Sequence, residues 1–241
     1  MSSLLIAATD TDCGKTVLTS ALAAYWQRYC QPHRLGILKP IQAGVGDREH
    51  YLRLFDLGQS IAEINPLFYE APLAPPIAAA LENTTIDLGI AWQALQRLQT
   101  KRDWVLVEGL GGLGSPVTDE MTVADLAASW RLPVVLVVPV KLGAIANAVA
   151  NAALARQTGL KLQGIVLNCT TPVTPLGLKQ LAPIPLIEQL THTSVLGILP
   201  YLDPADDLDQ LATAARQLAL EALMPKPFWA AQQLILSNPL N

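Results

Sequence analysis

Cysteine is scarce in this chain of 241 residues, and its scarcity bears on both the cellular compartment and metal binding. The three cysteines are Cys13, Cys30 and Cys169. An odd number of widely spaced cysteines fits neither a disulfide framework nor a paired CxxC metal site. We therefore expect the protein to work in the reducing cytoplasm.

Positive charge is also limited. Lysine and arginine together number 16, against 20 aspartates and glutamates, and the formal net charge at pH 7 is −4. Such a balance offers no basic surface for nucleic acid or for an anionic membrane. We expect a small-molecule partner, with no nucleic acid and no membrane.

Long uninterrupted hydrophobic runs are missing, although 51% of the residues are hydrophobic. The most apolar stretch, residues 132–155, is interrupted by Lys141 and by prolines and asparagines, so it is not expected to span a membrane. The apolar run at residues 4–8 has no basic flank and is too short for the core of a signal peptide. It predicts a first buried strand.

Short apolar runs alternate with longer helix-patterned segments, which is typical of a parallel sheet covered by helices on both faces. The candidate strands are residues 4–8, 34–38, 104–107, 134–138, 162–167 and 194–198. The candidate helices are residues 15–27, 49–55, 88–100, 124–130, 144–157, 178–190 and 208–223. The prolines within residues 72–76 and 172–175 predict extended loops.

This order predicts a doubly wound, mostly parallel α/β sheet with helices on both faces. The length fits a single domain, which we assign to residues 1–225. Residues 226–241 are expected to form a tail that packs on the surface or is partly mobile. Ligands in such folds bind beyond the carboxyl ends of the strands, so side chains that follow strands are the first candidates for a functional site.

A phosphate-binding loop follows the first predicted strand. Residues 9–16 read TDTDCGKT and lead into a helical pattern. Backbone N–H groups at such a helix start bind phosphate oxygens, Lys15 adds a positive charge, and the Thr16 hydroxyl can hold Mg²⁺. The common pattern has glycine where Thr9 stands. In the alternative interpretation, Gly14 opens an ordinary strand–helix turn and Lys15 is solvated; Cys13 is expected to pack within the loop.

Two further charged residues close predicted strands. Lys39 precedes Pro40 at a strand's end, where a second cation would offset charge on an acidic reactant or on a transferring phosphoryl group. Glu108 ends another strand in the Walker B arrangement, which holds Mg²⁺ opposite the loop threonine, and the glycines that follow allow close approach of the backbone to a ligand. The alternatives are a surface lysine and a helix-capping carboxylate.

Asp47 and Asn168 carry weaker signals. Asp47 comes before a predicted helix, where capping alone is as good an explanation as metal binding. Asn168 ends a strand, and its amide group can both donate to and accept from an adenine edge. The alternative for Asn168 is a turn residue ahead of Pro172.

Taken together, these motifs resemble the dethiobiotin synthetase family over about residues 4–203. The markers are residues 9–16, Lys39 with Pro40, residues 107–112, Pro133 with Val134, residues 141–143, Asn168, and residues 196–200. Their order and spacing are more specific than any single motif. The resemblance implies the P-loop NTPase-like variant of the predicted fold.

The resemblance also implies the reactants and the reaction. ATP, Mg²⁺, CO₂ and 7,8-diaminopelargonic acid would be used by a homodimer with its substrate site at the interface, where the segment 141–147 faces the partner. One amine would be carboxylated to a carbamate, the carbamate would take the γ-phosphoryl group of ATP, and the second amine would close a cyclic urea.

Site residues follow from the resemblance by position. The catalytic residues would be Lys15 and Lys39, and the Mg²⁺ ligands Thr16, Asp47 and Glu108. The nucleotide would contact Asp12, Cys13, Gly14, Lys15, Thr16, Val17, Asn168 and Pro200. The diamine would contact Thr11, Lys39, Ala43, Gly111 and Gly112.

Several positions depart from the family pattern. Glycine is usual at Ala8, serine or threonine at Ala43, histidine at Pro76, alanine at Leu110, and asparagine then histidine at Ala146 and Asn147. These departures bear on substrate affinity more than on reaction type, because none removes a predicted phosphate or metal ligand.

Three alternatives compete with this interpretation. A deviant-Walker regulatory ATPase would carry an extra lysine early in the loop, where this chain has Asp10. A cobyrinic-acid-type amide ligase would need a glutamine-hydrolysing domain, for which 241 residues leave little room. A catalytically impaired nucleotide-binding homologue disagrees with the intact Lys15, Thr16, Lys39 and Glu108.

Overall fold

The computed structural model describes residues 2–30 and 34–225. The predicted tail, residues 226–241, lies outside the described residues and stays a prediction. Within the described ranges, no helix is long and apolar enough to cross a membrane.

Six parallel strands form the central sheet in the order β2-β5-β1-β6-β7-β8. Their bounds are β1 Ser3–Ala8, β2 Leu35–Leu38, β5 Trp104–Glu108, β6 Pro133–Pro139, β7 Lys161–Asn168 and β8 Val195–Leu199. All six strands predicted from the apolar runs are confirmed. A second, small sheet pairs β3, Ile41–Ala43, with β4, Leu67–Tyr69.

Helices flank this sheet. Their bounds are α1 Lys15–Tyr29, α2 Asp47–Leu54, α3 Ile61–Ile64, α4 Pro75–Leu81, α5 Leu88–Lys101, α6 Val123–Ser129, α7 Ala144–Gln157, α8 Pro175–Leu181, α9 Ile184–Thr191, α10 Leu208–Ala215 and α11 Leu220–Leu223. The doubly wound architecture with helices on both faces is therefore confirmed.

The first strand shows why the strands of the sheet are mostly apolar. Every residue of β1 is buried, and successive side chains enter different cores: Leu5 and Ala7 pack in one, while Leu4 and Ile6 pack in the other. This alternation follows from the two-residue period of a strand. A strand covered on both faces needs apolar residues at every position, which gives the continuous runs seen in the sequence.

Prolines account for most of the differences from the predicted helices. The helix predicted at residues 178–190 is two helices, α8 and α9, and the second begins just after Pro183. Proline lacks a backbone N–H and cannot continue a helix, but it is well suited to a first turn. For the same reason, Pro75 and Pro76 begin α4, and Pro175 begins α8, in places where extended loops were predicted.

Two further differences from the predicted elements concern one helix and one pair of strands. The helix predicted at residues 208–223 is interrupted between α10 and α11. The strands β3 and β4 were not predicted because each is only three residues long. Runs this short carry too few apolar repeats for a periodicity signal.

Candidate active site

The phosphate loop joins β1 to α1, and Gly14 is its tightest point. Gly14 has φ of +94°, in the left-handed region, and a Cβ atom there would collide with the Asn168 amide group. The Asn168 Nδ2 atom donates a hydrogen bond to the Cys13 carbonyl at 3.0 Å. Only glycine therefore fits, and the end of β7 holds the loop in place.

Three further residues predicted to contact the nucleotide, Asp12, Cys13 and Val17, lie along this loop and in the first turn of α1. Asp12 is exposed with φ of +55°, and Val17 is half-buried. Cys13 is buried, and its thiol donates to the Thr11 carbonyl at 3.5 Å. This geometry agrees with the expected packing role of Cys13.

Lys15 links the phosphate loop to the glycine-rich loop that follows β5. Its Nζ atom donates to the Asp10 carbonyl at 3.1 Å and to the Gly111 carbonyl at 2.8 Å. Burial lowers the pKa of the ammonium, and the nearby Lys39 charge lowers it further. Lys15 is therefore not a solvated helix residue.

Lys39, directly after β2, is buried among acceptors. Its Nζ atom lies 2.5 Å from Asp47 Oδ2, 2.9 Å from Glu108 Oε1 and 2.9 Å from the Gly109 carbonyl. An ammonium has three protons, so these contacts use all of them. Burial alone would lower the pKa of Lys39, but the Glu108 and Asp47 carboxylates outweigh it and raise that pKa. The surface-lysine alternative is wrong.

Asp47 is the first residue of α2, yet its carboxylate does not cap the helix. Its Oδ1 atom accepts from the Thr16 hydroxyl at 3.0 Å. The carboxylate that caps the helix start is that of Glu49, which accepts from the backbone N–H of Gly46 at 2.9 Å. Burial would raise the pKa of Asp47, but Lys39 and hydrogen bonds lower it overall. Asp47 therefore belongs, with Lys15, Lys39 and Glu108, to one charged cluster.

Three oxygen-bearing side chains meet in this cluster, those of Thr16, Asp47 and Glu108. The Thr16 hydroxyl lies 3.0 Å from Asp47 Oδ1 and 3.2 Å from Glu108 Oε1. Residues 2–30 and 34–225 contain no group of three or more His, Cys, Asp or Glu side chains arranged to hold a metal. Mg²⁺ needs no such group, since it takes one or two carboxylates, keeps several waters and binds substrate phosphates. The donor set therefore fits Mg²⁺.

The other oxygen of Glu108 has its own donors, which sequence reasoning missed. Thr19 donates to Oε2 at 2.8 Å, and the Tyr51 hydroxyl donates to the same atom. Glu108 and both donors are fully buried. The spacing of four residues between Asp47 and Tyr51, one helical turn, was an available signal.

A cavity of about 600 Å³ opens above the charged cluster. Its lining includes four of the residues predicted to contact the diamine, namely Thr11, Lys39, Ala43 and Gly111. Gly112 lies behind them, where a Cβ atom would stand 2.7 Å from the Thr9 carbonyl. An apolar wall formed by Pro72, Leu73, Ala74, Pro75 and Leu110 completes the cavity, and sequence reasoning did not assign it a role.

A second cavity of about 590 Å³ lies beyond the ends of β7 and β8. Pro200 lines it, together with Cys169, Pro172 and Tyr201. Asn168, immediately before Cys169, is buried and holds the phosphate loop. Its predicted contact with adenine stays a prediction.

A Gly-Lys-Thr loop between β1 and α1, facing a carboxylate at the end of the neighbouring strand β5, defines a P-loop NTPase. Solved structures with the same fold include a ParA family ATPase from Chlorobium tepidum, with a TM-score of 0.55 and 11% identity over 92% of this chain and 97% of that one. The MinD cell division protein of Aquifex aeolicus gives a TM-score of 0.52 and 12% identity over 100% and 99%. Identities this low show the fold alone.

The family is defined by sequence. A family model described as an AAA domain matches residues 2–208. The ATP-dependent dethiobiotin synthetase BioD of Gloeothece citriformis is 57% identical over 93% of this chain and its own full length. The proteins of the same name from Crocosphaera subtropica and Synechocystis sp. are 55% and 50% identical over 92% and 91% of this chain, and over 100% and 94% of their own lengths.

The chain belongs to this family, the ATP-dependent dethiobiotin synthetases, which are ligases that form a carbon–nitrogen bond. The resemblance predicted from the motifs is thereby confirmed, as is the use of ATP. A regulatory ATPase of the deviant-Walker class is not favoured, because these relatives, at 50–57% identity over most of the chain, are named as dethiobiotin synthetases.

Proposed function

We propose that the charged cluster around Lys39 performs the phosphoryl transfer of dethiobiotin synthesis from 7,8-diaminopelargonic acid, CO₂ and ATP. The observation that carries this proposal is the burial of Lys39 between Asp47 and Glu108, beside Lys15 and Thr16 of the phosphate loop. Two cations held by fixed acceptors can offset charge on phosphates and on a carbamate without reorganising when that charge develops.

The reaction has three steps. An amine of the diamine adds to CO₂ and loses a proton to give a carbamate. A carbamate oxygen then takes the γ-phosphoryl group, and ADP leaves. The second amine attacks the carbamoyl carbon and loses a proton, the bond between that carbon and the phosphate oxygen breaks, and the ring closes with release of phosphate.

Each side chain has a proposed role in these steps. Lys15 binds the phosphates from the loop, and Lys39 offsets the negative charge of the carbamate. Thr16, Asp47 and Glu108 would hold Mg²⁺, which when bound neutralises charge on the β- and γ-phosphates. The nucleotide would run along the phosphate loop toward the second cavity, where Asn168 and Pro200 would meet the base.

The first cavity suits the diamine. Thr11, Ala43, Gly111 and Gly112 would contact it, and the apolar wall beside Leu110 offers a surface for its methylene chain. We also propose that the chain forms a homodimer with this site at the interface, supported by the resemblance at residues 141–147. Leu142 is 90% exposed in the isolated chain, and covering so large an apolar side chain would favour association.

No disulfide bond joins Cys13, Cys30 or Cys169 within the described residues, which supports a cytoplasmic location for the enzyme, where thiols stay reduced. The dimer is tested by sedimentation at the assay concentration. A fully active species that sediments strictly as a monomer would contradict it.

The proposed reaction is tested by incubating the protein with 7,8-diaminopelargonic acid, bicarbonate and MgATP and searching for dethiobiotin by mass spectrometry. We expect product with the natural sequence and almost none with Lys39→Met, which keeps a side chain of similar length but removes its charge. Nucleotide binding without any product would instead indicate the catalytically impaired homologue.

A further inference from the structure

The two carboxylate oxygens of Glu108 have different partners. Its Oε1 atom lies 2.9 Å from Lys39 Nζ and 3.2 Å from Thr16 Oγ1, on the side of the proposed metal and phosphates. Its Oε2 atom accepts from Tyr51 and Thr19, neither of which lines the first cavity. The side chain has no exposed surface, so protein donors must replace water around it.

The two donors to Oε2 are not equivalent. The single hydroxyl proton of Thr19 has two acceptors in reach, Glu108 Oε2 at 2.8 Å and the Lys15 carbonyl at 2.9 Å. The Tyr51 hydroxyl donates to Glu108. Tyr51 is therefore the steadier donor.

Helix α2 connects Tyr51 to the rest of the cluster. Asp47 and Tyr51 are four residues apart, so they lie on the same face of the helix, one turn apart. Asp47 contacts Lys39 and Thr16, while Tyr51 contacts Glu108. One face of α2 thus positions both carboxylates: it carries Asp47 itself, and through Tyr51 it donates a hydrogen bond to Glu108.

We propose that Tyr51 is a positioning residue of this enzyme, whose hydroxyl fixes Glu108 Oε2 so that Oε1 stays directed at Thr16 and Lys39. The inference rests on the proposed function, in which Glu108 binds the metal. Without the hydroxyl, the carboxylate keeps Lys39 and Thr16 at Oε1 but only the shared Thr19 proton at Oε2, so its orientation is fixed less tightly. A ligand whose supporting contacts are lost binds its metal less well and holds the phosphates less accurately.

The test uses Tyr51→Phe, which removes the hydroxyl and keeps the buried ring. The matched control is Tyr25→Phe, which also removes the hydroxyl of a buried tyrosine. Tyr25 packs in the same core as Tyr51 but lies on α1. Loss of one hydrogen bond to a charged group should lower kcat by roughly tenfold, with the KM for the diamine within about twofold of the natural enzyme. The control should change neither value.

A second readout does not depend on turnover. Binding of Mn²⁺ to the protein–ADP complex, followed by electron paramagnetic resonance, should weaken by roughly threefold or more in Tyr51→Phe and remain unchanged in Tyr25→Phe. In a Glu108→Gln background, adding Tyr51→Phe should cause no further weakening, because Tyr51 acts through that carboxylate. A merely structural role would weaken Mn²⁺ binding by the same factor in the natural and the Glu108→Gln backgrounds. That result would overturn the inference.

The outcomes also separate this inference from the proposed function. If Glu108→Gln weakens Mn²⁺ binding and Tyr51→Phe does not, the positioning role fails while the metal site stands. If Glu108→Gln itself leaves Mn²⁺ binding and turnover unchanged, the proposed site fails. Should Tyr51→Phe not fold, as judged by circular dichroism, Thr19→Val decides: a weakening of Mn²⁺ binding much smaller than that of Glu108→Gln supports the inference, because Tyr51 still fixes Oε2, whereas a loss as large as that of Glu108→Gln shows that Thr19 fixes the carboxylate and overturns it.

Discussion

At the carboxyl edge of the sheet, the half formed by β2, β5 and β1 differs from the half formed by β6, β7 and β8 in how charge is distributed. The first half buries Lys15, Lys39 and Glu108 beneath its cavity. The second half has a cavity of similar volume lined by one cysteine, three prolines and other largely uncharged side chains, with Lys179 as its one charged residue.

The difference shows how charge can be buried at low cost. In the first half, every buried ammonium and carboxylate has partners: Lys39 is paired with Asp47 and Glu108, and Glu108 accepts further hydrogen bonds on its other oxygen. Buried charge without such partners would be strongly destabilising. The first half therefore suits a reaction in which charge develops, and the second suits the neutral base of a nucleotide.

The largest effect should come from the charged half at Lys15. We expect Lys15→Ala to reduce kcat by roughly 10³-fold, because it removes a buried cation that would offset the charge developing on the phosphates. The measurement is steady-state turnover with saturating MgATP. The control is Lys101→Ala, which deletes an exposed lysine at the end of α5. Equal, near-normal rates for both variants would contradict the assignment of the phosphate loop.

Glu108→Gln should have the next largest effect, a loss of roughly 10²-fold in rate. An amide oxygen carries no net charge, so the apparent Mg²⁺ affinity should fall too, and activity should partly return at high Mg²⁺. A titration of rate against Mg²⁺ concentration checks this. If Mg²⁺ affinity were unchanged while turnover was lost at every metal concentration, a role as general base would be the better account.

A smaller effect is expected in the uncharged half. Asn168→Ala removes the hydrogen bond to the Cys13 carbonyl, worth about 1 kcal/mol, and should raise the KM for ATP by about fivefold. The value of kcat should change by less than about twofold, because no charged group is lost. A drop in kcat as large as that of Glu108→Gln would erase the contrast between the two halves.

The smallest effect concerns stability at acid pH. Folding lowers the pKa of Asp47 below its ordinary value of 3.8. The ionised carboxylate therefore stabilises the fold fully above pH 3.8, and this contribution is lost as the pH falls through the pKa of the folded chain. In urea unfolding, the difference in free energy between the natural chain and Asp47→Asn should shrink below pH 3.8. A difference of the same size at neutral and acid pH would contradict the pairing.

Much of the fold followed from the sequence because its signals are local. Each strand is a short apolar run, and the rule that ligands bind at the carboxyl ends of parallel strands brought Lys39 and Glu108 into the candidate site. Helix ends were less predictable where prolines occur. Pro75 and Pro183 both mark helix starts, yet a proline is equally at home in an extended loop.

The sequence by itself determined the phosphate loop, because residues 9–16 are contiguous and need only the backbone of one strand–helix junction to bind phosphate. The tertiary structure decided which side chains meet around Glu108. Thr16 lies 92 residues from it along the chain and Tyr51 lies 57 residues away. Contacts at such separations depend on the order of the strands and on the orientation of α2, which no local periodicity encodes.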